Sequence, residues 1–119
     1  RIMKEEGLIE RVREDIGPYF QKRLRDLEDH PLVGEVRGVG LIAAVELVKD
    51  KTTRELFDPM GTVGSLCHEN MYDEGVIFRA MRDVMCASPP LSITREEVDE
   101  LVDRARAGID RTASELGIM

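Results

Sequence analysis

Residues 33–48 read Val33-Gly34-Glu35-Val36-Arg37-Gly38-Val39-Gly40-Leu41-Ile42-Ala43-Ala44-Val45-Glu46-Leu47-Val48. β-Branched residues are dense and glycine punctuates the run. The pattern predicts two strands, or one strand with a bulge near Gly38 and Gly40. The same residues contain Gly38-Val39-Gly40-Leu41-Ile42-Ala43, a match to the GxGxxA fingerprint of dinucleotide-binding loops. That fingerprint requires a helix straight after the glycines, so that its N-terminus meets the pyrophosphate. Leu41 to Val48 is β-rich and too short for a crossover helix, so the glycines read as backbone devices.

Upstream, Leu8, Ile9, Val12, Ile16, Tyr19, Phe20, Leu24 and Leu27, preceded by Ile2 and Met3, recur at three- and four-residue steps. This is the apolar stripe of an amphipathic helix over residues 2–27. Gly17-Pro18 predicts a kink or break, because proline lacks an N–H and disfavours helical geometry in the residue before it. His30-Pro31 ends the segment, with His30 read as a loop residue. No start signal precedes the stripe and the first residue is Arg1, so the sequence reads as part of something longer.

Downstream, Asp50 to Thr53 predicts a loop. Asp58-Pro59 predicts a helix start, Met60, Val63, Leu66, Cys67 and Met71 its stripe, and Gly75 its stop. Val76–Arg79 and Val84–Ala87 predict a hairpin with Met81, Arg82 and Asp83 between its strands. Thr94-Arg95-Glu96-Glu97 is a capping box. Val98, Leu101, Val102, Ala105, Ile109, Ala113 and Leu116 continue at helical spacing to Gly117, with the carboxylates of this helix read as a solvated face. The order helix, strands, helix, hairpin, helix predicts an α+β fold: a small, mainly antiparallel sheet with helices packed on one face.

The 119 residues are enough for one domain with a modest core. A net charge of −7 repels phosphate, which argues against nucleic acid and anionic membranes as partners. The longest apolar run, Val39 to Val45, falls far short of the roughly 20 residues a membrane helix needs. No secretory or transit signal is recognised. Cys67 and Cys86 lack ligand spacing and read as reduced small hydrophobes, which predicts a cytoplasmic protein.

Chemistry-bearing constellations are sparse. His30 and His68 have no companions at ligand spacing, so no metal site is expected. Ser65, Ser88, Ser92 and Ser114 lack a nucleophile elbow. Arg79 follows the apolar run Val76–Phe78 and shares a strand face with Ile77. A guanidinium there is suited to bidentate carboxylate binding; the plainer reading is a surface arginine, or one paired to Asp83. Arg37 is expected in a partly buried pair with Glu46. From the residues alone, an enzyme domain, a stand-alone binding module and a dimerisation fragment all remain open.

The segment His30-Pro31-Leu32 through Glu46-Leu47 resembles the opening of the small C-terminal domain of class III aminotransferases, the pyridoxal-phosphate enzymes that include the ω-amino acid:pyruvate transaminases. Gly75-Val76-Ile77-Phe78-Arg79, Asp83 and Ser88-Pro89-Pro90-Leu91-Ser92-Ile93-Thr94 follow in register, and the helix from Gly7 is similar to the one linking the family's large and small domains. The resemblance implies a fold-type I enzyme, with residues 1–29 as the linking helix and 30–119 as the small domain. It implies amino transfer between an amine or ω-amino acid and a keto acid such as pyruvate. It also implies pyridoxal 5'-phosphate as cofactor and a homodimer; a sibling chemistry such as an aminomutase shares the scaffold. In the family a lysine carries the cofactor. Lys4, Lys22, Lys49 and Lys51 do not stand in a matching setting, so no catalytic or cofactor-binding residue is expected here, and the chain alone is expected to be inactive. Arg79 occupies the position of the family's mobile arginine, which grips the substrate carboxylate. The sequence departs from the family pattern at Arg82, where many relatives carry a small residue, which makes Arg82 the alternative substrate-binding arginine.

Overall fold

The computed structural model describes residues 2–118, with side chains from Gly7 onward. The side chains of the stripe positions Ile2 and Met3 and of Lys4, and the whole of Arg1, lie outside what is described. The order is α1 (Ile2–Arg11), a π-helical turn (Val12–Ile16), α2 (Gly17–Arg25) and a 3-10 turn (Asp26–Asp29). Then come β1 (Val33–Val39), β2 (Ile42–Leu47), α3 (Thr62–Asp73), β3 (Arg79–Met81), β4 (Val84–Ala87) and α4 (Arg95–Glu115).

Gly17-Pro18 does not break the first helix. Pro18 sits in the first turn of α2, where its missing N–H is harmless. The Gly17 N–H reaches back five residues to the Val12 carbonyl, and the π turn absorbs the irregularity. A Cβ at position 17 would lie 2.1 Å from the Val12 oxygen, so only glycine fits.

The sheet order is β1-β2-β4-β3, antiparallel throughout, as the α+β reading predicts. Val39 pairs with Ile42 around a two-residue loop, and Gly40 has φ +60°. Primed hairpin turns favour glycine at this first loop position. The GxGxxA residues therefore form a hairpin. The register irregularity lies between Val33 and Glu35, near the start of β1, rather than at Gly38.

Ala43, Val45 and Leu47 turn inward from β2, while Ile42, Ala44 and Glu46 alternate to the other face. Onto the inward face pack Ile16, Phe20, Leu24 and Leu27 of the first helical segment, Cys67 and Met71 of α3, and Val98, Val102 and Ile109 of α4, all essentially inaccessible to solvent. Each large apolar side chain buried in this way stabilises the fold by about 1.5–3 kcal/mol. Among the described residues no helix covers the opposite sheet face.

The carboxylates of α4 remain largely exposed, as expected, and some also pair with the first helical segment, which lies alongside. Asp99 accepts from the Tyr19 hydroxyl and from Arg23 Nε at 2.9 Å, and Asp103 accepts from Arg23 at 3.2 Å. Arg95 lies 4.6 Å from the centroid of the Tyr19 ring and pairs with Asp15 at 2.6 Å. His30 stays outside regular structure but is 3% exposed rather than a free loop residue. Its Nδ1 accepts the Leu32 N–H at 3.1 Å, so Nε2 carries the proton and donates to Asp110 at 2.7 Å.

The Tyr19 hydroxyl, and after it Arg23, holds the Asp99 carboxyl below the usual carboxylate range. A depressed carboxylate adds stability that is present above its unfolded-state pKa and lost as pH falls through the folded-state value. Asp99→Asn should therefore lower the urea midpoint at neutral pH. It should also flatten the fall of that midpoint on acidification from about pH 5 to about pH 2.

Candidate functional site

Arg79 opens β3, an edge strand. The β3–β4 hairpin is tighter than the sequence suggests: Met81 is inside the strand and pairs with Val84, leaving Arg82-Asp83 as the loop. Val76 to Phe78 lie outside the ladder. The Val76 N–H returns to the Met71 carbonyl and closes the C-terminus of α3 at Gly75, which has φ +90°.

Helix α3 begins at Thr62, not at Asp58-Pro59, and Gly61 at its N-cap position offers no side chain. The capping group comes from the hairpin. Asp83, 7% exposed, accepts from the N–H groups of Gly61 (3.1 Å) and Gly64 (2.8 Å). Gly64 is required for this approach, since a Cβ there would lie 1.8 Å from the Arg82 carbonyl oxygen. Arg82 takes φ +57°, a left-handed conformation uncommon for a non-glycine residue. Asp83 is therefore committed to backbone amides and does not pair with Arg79.

Arg79 is exposed and borders a shallow groove between α3 and β3 with Ser65, His68, Glu69 and Ala80. It makes no ion pair or side-chain hydrogen bond among the described residues. His68, half-buried on α3, donates from Nδ1 to the Phe78 carbonyl at 2.7 Å, immediately before Arg79. On the open face, Arg37, Ala44, Cys86 and Arg79 align in one row across the four strands. Arg82 borders a second depression on that face with Arg37, Ala44, Met81, Val84 and Cys86, so the two candidate arginines border different depressions. Arg37 is half exposed rather than partly buried. It pairs with Glu35 at 3.0 Å and reaches Glu46 only at 3.9 Å. Among the described residues no three His, Cys, Asp or Glu side chains converge as a metal site would need.

Comparison with known proteins gives this geometry a family. The profile of class-III aminotransferases matches residues 1–108. Putrescine–pyruvate aminotransferase of Pseudomonas aeruginosa is 53% identical over 114 residues, 96% of this chain and 25% of that protein. A transaminase solved with L-alanine superimposes with a TM-score of 0.90 at 46% identity, over 98% of this chain and 27% of the other. The omega transaminase of Pseudomonas jessenii in complex with PMP gives 0.88 at 38% identity, over 98% and 26%. The chain belongs to the class-III aminotransferases. It spans about a quarter of the length of the curated relatives it matches.

Within this aminotransferase fold, sequence reasoning singled out Arg79 and Arg82 but not what holds them. Asp83 entered as a possible ion-pair partner, and His68 only as a candidate metal ligand. The one local hint for His68 was its place beside the stripe residue Cys67. Cys67 itself is inaccessible, and burial pushes its thiol up to about 11. Cys86 is half-buried on the open face.

Asp83→Ala leaves two helix N-terminal amides without their acceptor and should cost about 1–3 kcal/mol, read from the urea midpoint. Asp83→Asn keeps one acceptor oxygen and should cost less. With an alkylating reagent at about pH 8, Cys86 should react in the native protein and Cys67 only on unfolding, as peptide mapping would resolve.

Proposed function

We propose that this chain is the small C-terminal domain of a pyridoxal-phosphate-dependent transaminase. The whole enzyme moves an amino group between an amine or ω-amino acid and a keto acid such as pyruvate. Residues 1–29 form the linking helix and residues 30–119 the closing lobe. The enzyme is a cytoplasmic homodimer. A diamine such as putrescine is a donor that the named Pseudomonas aeruginosa relative suggests.

The observation that carries this reading is the availability of Arg79. It is exposed and makes no ion pair among the described residues, at the edge of a sheet face that none of the described helices covers; Arg37 on that face is paired with Glu35, and Arg82, also exposed, lies in the turn with a left-handed backbone. A guanidinium in that state matches a carboxylate through two parallel N–H···O bonds.

The described lysines have other places. Lys49 pairs with Glu55 at 3.7 Å, Lys51 reaches the Glu28 carbonyl, and Lys22 is an exposed residue of α2. None of these three lysines stands by the Arg79 groove. The cofactor and its lysine belong to the remaining three-quarters of the enzyme, and this lobe contributes a wall and a carboxylate clamp.

In the full-length holoenzyme, Arg79→Ala should raise KM for pyruvate by about ten- to a hundredfold, the loss of one or two charge-assisted hydrogen bonds. KM for an amine lacking a carboxylate should change by less than about twofold. Arg82→Gly should leave both constants unchanged. Equal effects of Arg79→Ala on the two substrates, or a pyruvate defect that follows Arg82 instead, would reject Arg79 as the carboxylate ligand.

A further inference from the structure

We propose that His68 is a positioning residue for Arg79: its hydrogen bond to the Phe78 carbonyl fixes the peptide plane from which the Arg79 side chain springs. The inference rests on the reading of Arg79 as the carboxylate-binding group.

Phe78 and Arg79 share one peptide unit, so holding the Phe78 carbonyl also holds the Arg79 nitrogen. The Phe78 side chain is wholly buried, and this fixes the core side of that unit. Arg79 pairs with Cys86 on β4, which fixes one edge. The other edge of β3 faces α3. There the ladder ends, and the Phe78 carbonyl has the imidazole of His68 as its donor, at 2.7 Å. A carbonyl can only accept, so Nδ1 carries the proton of this bond and Nε2 is the nitrogen turned away from it. Farther along the same hairpin, Asp83 ties the turn to the N-terminus of α3. The strand bearing Arg79 is thus fastened to one helix at both ends, and His68 is the fastening next to the arginine.

The distribution of contacts separates this role from plain packing. His68 is half-buried and borders the groove that Arg79 also borders, rather than filling the core. Removing its donor loosens the root of Arg79 while the buried Phe78 ring keeps the strand in place. A long side chain on a loosened root samples more orientations, and carboxylate binding must then order it. The effect falls on substrates that carry a carboxylate.

The test uses the full-length holoenzyme with pyruvate as acceptor and a carboxylate-free amine as donor. His68→Leu should raise KM for pyruvate about fivefold, the worth of one net hydrogen bond. kcat and the amine KM should stay within about twofold. His68→Gln, whose amide can donate to the Phe78 carbonyl, should restore most of the loss. Placed on Arg79→Ala, His68→Leu should add nothing to the pyruvate KM, because the residue it serves is gone. If His68→Leu does not fold, His68→Met removes the donor with a more adaptable side chain and carries the same expectations. Equal changes for both substrates, a loss confined to kcat, no change at all, or an additive effect on the Arg79→Ala background would overturn the inference. If Arg79→Ala itself spares the pyruvate KM, the reading of the site fails. If Arg79→Ala raises it and His68→Leu does not, only the inference fails.

Discussion

The carboxylate of Asp83 joins two elements that local sequence would leave separate. It comes from the β3–β4 turn and accepts the amides of Gly61 and Gly64, 22 and 19 residues earlier. The start of α3, the left-handed turn at Arg82 and the position of β3 all depend on it. A non-glycine residue in that backbone region costs on the order of 1–3 kcal/mol. Two charge-assisted bonds from a buried carboxylate to amides that otherwise lack acceptors offset a cost of that size. The glycine at position 64 lets the turn approach the helix, since any Cβ would enter the Arg82 carbonyl. Asp83 and Gly64 therefore act as a pair: one supplies the bond and the other the space for it.

The parts of the fold that were legible in the sequence were written in short-range signals. Thr94 and Glu97 form the reciprocal capping box that their spacing specifies. The apolar stripe of the first helical segment is the buried one, and strand-like residues on both sides of Gly40 produce the hairpin. What was not legible depends on partners far away in the chain. The Asp58-Pro59 helix start was displaced because a stronger cap arrived from Asp83. The π turn answers a conflict between Pro18 and a stripe that demanded continuous helix. His30 is buried because Asp110, 80 residues later, accepts a hydrogen bond from its Nε2. Arg79 was legible as a position through family resemblance. Its freedom from an acidic partner was not, because that freedom depends on Asp83 being occupied elsewhere.

The sheet has one closed and one open face, and the difference follows from alternation. Val36, Val45 and Met85 stand in one transverse row that α2, α3 and α4 help to bury. The next row on the other face contains Arg37, Ala44, Cys86 and Arg79, with small residues at the centre and cations at the two edges. The edge arginines have different fates. Arg37 pairs with Glu35; Arg79 makes no ion pair among the described residues, although Glu69 borders the same groove.

That asymmetry bears on how a carboxylate is recognised. An arginine already paired must exchange one carboxylate for another, so the incoming group gains only the difference between two similar interactions. Exposed ion pairs contribute little, about 0–1 kcal/mol, because water competes well for both charges. An unpaired arginine keeps its full fork geometry for the ligand, and it gains strength when closure of the site removes the surrounding water. Its weakness is entropy, since a long side chain must be ordered at the moment of binding. On the proposed reading of Arg79 as a carboxylate ligand, a rigid root reduces that cost without restricting the guanidinium. The contacts divide the work in this way: the backbone around Arg79 is held by β4, by the buried Phe78 ring and by His68, while the charged end of the side chain is left free.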